Sequence, residues 1–332
     1  MARPRRARTR RSILVLKGTR WRMSSPSAFI DWCRRELRAA GVRFAITSGQ
    51  ACVHFGIQQT TKDSDWIIEP DDLSLLRSML AKAESSGEFR VSYRAICGTP
   101  LDRAYLGNGW TSHLAMTDPD ADEHHLDFFG NAPRVRELER DPVDPDYASR
   151  LLVAQMKKTD REKDWPFVFA LGRQAMAMGD VRGVLHGQEA DWLIDAWSQV
   201  PEKIRVELIR QRPLLGLIDT EPRQLRRAIV IEKQVWVSIN RERYGVYQRS
   251  WKEFYRQWRR EPGFQWPRRI PFLEQHAQLD EAAERYALPK RPLDESARRA
   301  ALATARADAA EILAASDEEL ESSVPPLEVL LP

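Results

Sequence analysis

Between residues 26 and 41 apolar side chains recur at helical spacing. Phe29, Cys33, Leu37 and Ala40 predict a helix with one inward face, opened by Ser24 or Ser25 with Pro26 in its first turn and ended by Gly41. A short apolar strand, Arg43-Phe44-Ala45-Ile46-Thr47, then runs into Ser48-Gly49-Gln50. Residues 51–56 read as a short helix, and the polar loop Gln58-Gln59-Thr60-Thr61 leads to a strand near 63–69. Asp71 and Asp72 favour the start of a further helix with Leu75, Leu76, Met79 and Leu80 on its apolar face. Three strand-like runs follow, 89–96, 110–116 and 124–129, divided by clusters of Gly, Pro, Asn and Asp.

After Pro145 the period changes. Nearly every later segment reads as helix, interrupted near Pro166, Gly179, Pro201, Pro213, Pro222 and Pro262. The shift predicts an α+β first domain over 24–145 and a mostly helical second domain over 146–315. Alanine-rich 297–315 reads as helix, and the acidic 317–321 with Pro325-Pro326 makes 316–332 a flexible tail. In the window 241–269 a helical wheel puts Tyr247, Trp251, Phe254, Tyr255 and Trp258 on one face, and Arg249, Lys252, Arg256, Arg259 and Arg260 on the other. The aromatic stripe is then read as core, and the basic face as solvated or internally paired rather than as an RNA surface.

Composition changes this picture in one respect. The chain has 332 residues, 52 basic and 48 acidic, which by itself suggests a polyanion-binding protein. Residues 1–23, however, hold eight Arg and Lys17 with no acid, leaving 43 basic against 48 acidic residues in the rest. The body is mildly acidic, so net charge lends it no general affinity for nucleic acid. The leader 1–23 is expected to be disordered or not translated, with initiation at Met23. Other readings are a basic arm or an export-like signal, although Lys17, Arg20 and Arg22 interrupt any apolar segment. No run approaches the length of a membrane-spanning helix. Cys33, Cys52 and Cys97 have no CxxC spacing, which points to buried thiols in a reducing compartment and hence to the cytoplasm.

The candidate chemistry lies in three acids. Asp63 and Asp65 are two apart on an expected strand, so both leave the same face. Like charges so placed need a cation, and Mg²⁺ (or Mn²⁺) takes one or two carboxylates together with phosphate oxygens. Asp127 lies in another apolar strand, Leu126-Asp127-Phe128-Phe129, where an acid should be paired, ligating or at a strand end. Before these acids, Ser48-Gly49 marks a strand-to-helix turn at which a glycine lets the backbone come close to a phosphate. His113, His124 and His125 lie near Asp127 in sequence without metal-binding helical spacing, and are read as surface or substrate-contacting residues. GxxxxGK[ST], GxGxxG and GxSxG are all absent, which argues against P-loop, Rossmann and serine-hydrolase readings.

Ile46-Thr47-Ser48-Gly49-Gln50-Ala51, then Thr61-Lys62-Asp63-Ser64-Asp65, then Leu126-Asp127-Phe128 resemble the polymerase-beta-type nucleotidyltransferase superfamily. The likeness is to its small bacterial branches of abortive-infection toxins and antibiotic-modifying enzymes, and it covers roughly residues 28–165. It implies a nucleotidyltransferase fold, a small mixed sheet flanked by helices, followed by a mostly helical domain. It also implies metal-dependent transfer of an NMP from an NTP onto a hydroxyl of RNA, a protein or a small molecule. Asp63, Asp65 and Asp127 would be catalytic and metal-binding, and Ser48, Gly49 and Gln50 would meet the nucleotide. Lys157, Lys158 and Arg161 resemble the basic helix that follows the third acid in such proteins. There Lys157, Arg161 and Asp164 would share one helical face. An antitoxin-like partner protein belongs to the same expectation. Two departures, Ser before Gly49 and Ser64 between the paired acids, leave every carboxylate in place; the alternative is a degenerate copy that binds or scaffolds without catalysis.

Overall fold

The computed structural model describes residues 26–332. The leader and the capping Ser24 and Ser25 lie outside the described residues. The first part consists of α1 (Pro26–Ala39), β1 (Phe44–Thr47), α2 (Ser48–His54), β2 (Asp63–Ile68), α3 (Leu73–Ser85), β3 (Arg90–Tyr93), α4 (Arg103–Leu106), β4 (Thr111–Thr117) and β5 (Glu123–Phe129). The expected helical period of α1 places Phe29, Cys33 and Leu37 in the core, and Gly41 closes the helix at φ +74°, where a residue with a Cβ would be strained. The helix expected at 51–56 begins three residues earlier, because Ser48 itself turns the chain, with φ +52°. The third strand is shorter than the expected 89–96.

The five strands form one mixed sheet in the order β1-β2-β5-β4-β3, with β2 and β5 parallel and the other pairs antiparallel. The class is α+β. Alternation divides β2: Ser64, Trp66 and Ile68 enter the core on one face, while Asp63 and Asp65 leave from the other. On the core face, Phe29 of α1 stacks on His124 of β5 at 4.0 Å.

The later part runs through α5 (Arg150–Met156), α6 (Trp165–Ala177), α7 (Ala190–Trp197), α8 (Glu202–Gln211), the 37-residue α9 (Pro222–Trp258), α10 (Phe272–Arg285), α11 (Glu295–Leu313), α12 (Asp317–Ser323) and α13 (Leu327–Leu330). This part, together with the segment that leads into α5, closes both edges of the sheet. At the β3 edge the buried Gln275 of α10 accepts from Tyr93 N–H and donates to the Val91 carbonyl. At the β1 edge Ile46 N–H donates to the Asp146 carbonyl and Ala148 N–H to that of Ile46. Edge strands left open invite pairing with other chains, and here the same molecule occupies them.

Helix α9 joins three cores, the first of them through Leu225, Ala228 and Ile229, which pack with α7 and α8. Ile231, Val235, Trp236 and Ile239 pack with the alanine stripe Ala301, Ala305 and Ala309 of α11, whereas Tyr247, Phe254 and Trp258 join the core beneath the sheet. The wheel drawn from sequence agrees with this: Arg249, Lys252, Arg256, Arg259 and Arg260 are exposed opposite the aromatic stripe. The stretch 316–332, expected to be a flexible tail, is folded. Ser316 and Glu319 form a reciprocal capping box, and Leu320, Val324, Leu330 and Leu331 are buried. The correction has a plain cause: four apolar side chains spaced along this segment find a surface on α9 and α11, which acidic composition does not reveal.

Candidate active site

Strand register brings the candidate acids together. Asp65 of β2 stands directly opposite Asp127 of β5, and Asp63 opposite His125. Neighbouring strands lie about 4.8 Å apart, so the two carboxylates of one rung share a face at close range. The rung continues in both directions. Thr47 of β1 is opposite Asp65, His113 of β4 is opposite Asp127, and the Arg94 N–H beyond β3 donates to the His113 carbonyl. The five side chains Thr47, Asp65, Asp127, His113 and Arg94 thus form one row across the sheet.

The row is charged unevenly. His113 Nδ1 is 2.6 Å from Asp127 Oδ1, and an Arg94 guanidinium nitrogen is 3.7 Å from the same oxygen. Both contacts fall on Oδ1, so Asp127 is held in place while Oδ2 has no hydrogen bond among the described residues. Asp65 is half-buried and less well served. Burial, with the neighbouring Asp127 charge, pushes its carboxyl up to about 7, while Lys157 and a hydrogen bond with Ser48 pull the other way. Asp63, at the first position of β2, is 60% exposed, with His125 Nδ1 3.5 Å away.

The turn after β1 closes over this row. Ser48 takes its left-handed conformation there and hydrogen-bonds Asp65. At Gly49 any Cβ would fall 2.5 Å from Thr61 Oγ1, so only glycine lets the turn lie against the loop that carries Asp63. Gln50 is half-buried in the first turn of α2. Buried Thr47 donates to Met156 Sδ at 3.1 Å, which ties the turn to the end of α5.

Of the three basic candidates, Lys157 belongs to this site. It is buried, lies 3.5 Å from Asp164 and over the Phe167 ring, and acts electrostatically on Asp65. Lys158 does not: its ammonium donates to the Leu185 carbonyl and lies over the Trp236 ring, away from the carboxylates. Arg161 bonds Asp164 and Thr159, and none of its hydrogen bonds reaches the three acids. The expected continuous helix is also corrected. α5 stops at Met156 and Lys157 is its cap, so Lys157 and Arg161 meet Asp164 through a turn and a short 3-10 segment, Glu162–Asp164, rather than along one helical face.

A divalent ion suits the facing pair in charge and donor type, since Mg²⁺ commonly takes one or two carboxylates and fills its shell with phosphate oxygens and water. The expected set of three acids is not assembled. Among the described residues no three His, Cys, Asp or Glu side chains are arranged to hold a metal ion, and the outermost acid, Asp63, is turned to solvent and His125. Sequence reading missed Arg94, which gave no signal because its neighbours are set by antiparallel register; His113, read there as a surface or substrate-contacting residue, is the direct partner of Asp127.

Compared with known proteins, the chain matches no family model, no curated protein and no solved structure.

Proposed function

We propose that the chain is a metal-dependent nucleotidyltransferase, with a nucleotidyltransferase-type fold over its first part, that moves an NMP from an NTP onto a hydroxyl acceptor. The observation that carries this reading is the rung on which Asp65 faces Asp127, with Asp63 one pleat away on the same face. Two carboxylates so close, one with its pKa raised, form a site that favours a cation over an open pair of like charges. Asp65 and Asp127 would hold Mg²⁺ or Mn²⁺, with Asp63 at the outer end of the strand. The ion supplies Lewis-acid stabilisation of charge on the phosphate oxygens.

The remaining work falls to the chain. Lys157 offsets charge on the triphosphate, and the Ser48–Gly49 turn admits its oxygens close to the backbone. The acceptor hydroxyl oxygen bonds to the α-phosphorus as the α–β bridging bond breaks. Pyrophosphate leaves with that electron pair, and the hydroxyl proton passes to Asp127 at Oδ2. His113 and Arg94 keep Asp127 in register for that transfer.

The test incubates the full chain with Mg²⁺, each labelled NTP, and cellular RNA or protein. Transfer should fall by about a thousandfold or more in Asp65→Ala, with a smaller loss in Asp63→Ala, since Asp63 stands at the outer end of the strand. Undiminished transfer in both variants sinks the proposal. The alternative of a non-catalytic binding module gains from the outward turn of Asp63, and absence of transfer with retained NTP binding would establish it.

A further inference from the structure

A second polar concentration lies on the other side of the α5 terminus. A cavity of about 310 Å³ opens in the helical part, bounded by the end of α5, the 3-10 turn Val181–His186, the end of α8, the middle of α9 and the C-terminal residues. Three buried cations line it: Arg134, Lys158 and Arg212. The buried acid among them, Glu232, pairs with Arg212 at 2.7 Å and also acts electrostatically on Lys158. Arg134 is fixed by the carbonyls of Gln155 and Met156 and by the Asn240 side chain, with no carboxylate in ion-pair range among the described residues.

The unmet groups among the lining side chains are nitrogen atoms. Lys158 makes one hydrogen bond, at 3.2 Å to the Leu185 carbonyl, and has three N–H groups to place. Trp236 Nε1 and His186 Nδ1 both belong to side chains more than nine-tenths buried, and neither has a partner among the described residues. Lysine and tryptophan can only donate, and a neutral histidine donates from either nitrogen. The buried part of the lining has three cations to one acid, while the outer part adds Arg136 and Arg182 against Glu137, Glu139 and Glu328; the buried part, with its unmet donors, calls for a ligand rich in acceptor oxygens. A cationic or donor-rich ligand would leave these groups unmet and would be repelled.

We propose that this cavity binds the phosphoryl group of a small ligand, at a site separate from the carboxylate row. A phosphoryl group carries close to two negative charges and three acceptor oxygens, which matches the charge excess and the donors present. The volume is at the lower end for small-molecule sites, enough for a phosphate with a short carbon skeleton against Leu151, Leu152 and Val329. Burial draws Lys158 down to about 7 and His186 well below its ordinary value, and an anion beside them would favour the protonated form of each.

The test uses the full chain in chelator at constant ionic strength, with inorganic phosphate and then glycerol phosphate followed by calorimetry and thermal melting. Saturable one-to-one binding is expected. Lys158→Met should weaken it by about tenfold or more and His186→Phe by several-fold, while Lys157→Met stays within about twofold of wild type. Tighter binding of the ester assigns the cavity to a phosphomonoester, and equal binding assigns it to phosphate itself. No saturable response to either probe overturns the proposal. So does affinity that survives in both Lys158→Met and His186→Phe, or that is lost in Lys157→Met instead. Should Lys158→Met fail to fold, His186→Phe decides.

Discussion

Lys157 and Lys158 are adjacent, chemically identical and both buried, yet they serve regions of opposite character. Lys157 faces an excess of acid, with Asp164 at 3.5 Å and Asp65 within electrostatic reach. Lys158 faces two guanidinium groups, Arg212 and Arg134, against the one carboxylate of Glu232, which Arg212 also pairs. The acidic region is built on a sheet, where register fixes which side chains stand together. The basic one is built between helix ends, where carbonyls and ring faces hold cations without neutralising them. In each, like charges stand together in the folded protein, and a ligand of opposite sign would relieve them.

The comparison can be broken most severely at the row. In the proposed reaction His113 would hold Asp127 without touching the nucleotide, as a positioning residue. His113→Ala should lower kcat about 10- to 100-fold with KM for the NTP little changed, and His113→Asn should recover part of the loss. A rise in KM alone would mean that His113 binds substrate and that the row has been misread.

The two regions should also respond to pH with opposite slopes. Asp65 has a raised pKa, so its stability contribution is intact below its unfolded value near 4 and is lost as pH rises to about 7. Lys158 has a lowered pKa, so its penalty is fully present below about 7 and fades as pH rises towards its unfolded value near 10.4. In chelator, Asp65→Asn should therefore stabilise the protein by roughly 1–3 kcal/mol at pH 8 and very little at pH 4. Lys158→Met should stabilise by a similar amount near pH 7 and little at pH 10. Thermal melts across pH check both, and parallel slopes for the two variants would end the contrast.

The smallest effect concerns the turn beside the row. Gly49→Ala places a methyl 2.5 Å from Thr61 Oγ1 and should cost about 1–2 kcal/mol in a denaturant midpoint, because the loop carrying Asp63 must move aside. An unchanged midpoint would show that this loop yields easily and that the turn does not fix the site.

Much of this was legible in the sequence. The period of two in β2 put Asp63 and Asp65 on one face, the helical period assigned the aromatic stripe of α9 to the core, and the change of texture after Pro145 marked the end of the sheet. These are local properties, carried by residues within a turn or a pleat of one another. The failures share a different cause. The tail at 316–332 was misread because its apolar residues are few and their burial depends on α9 and α11. The helical face drawn through Lys157 and Arg161 failed because α5 ends at Met156.

By itself, then, the sequence determined which residue types occupy each strand face and helix stripe, since backbone geometry links spacing directly to side-chain direction. It named three acids without the means to pair them. Only the tertiary structure decided that Asp65 meets Asp127, that His113 and Arg94 complete their row, and that Lys157 and Lys158 part company. Those outcomes depend on strand register and on where a helix ends. Both are fixed by contacts between segments far apart in the chain, among them the packing of residues 146–148 and Gln275 against the two edges of the sheet.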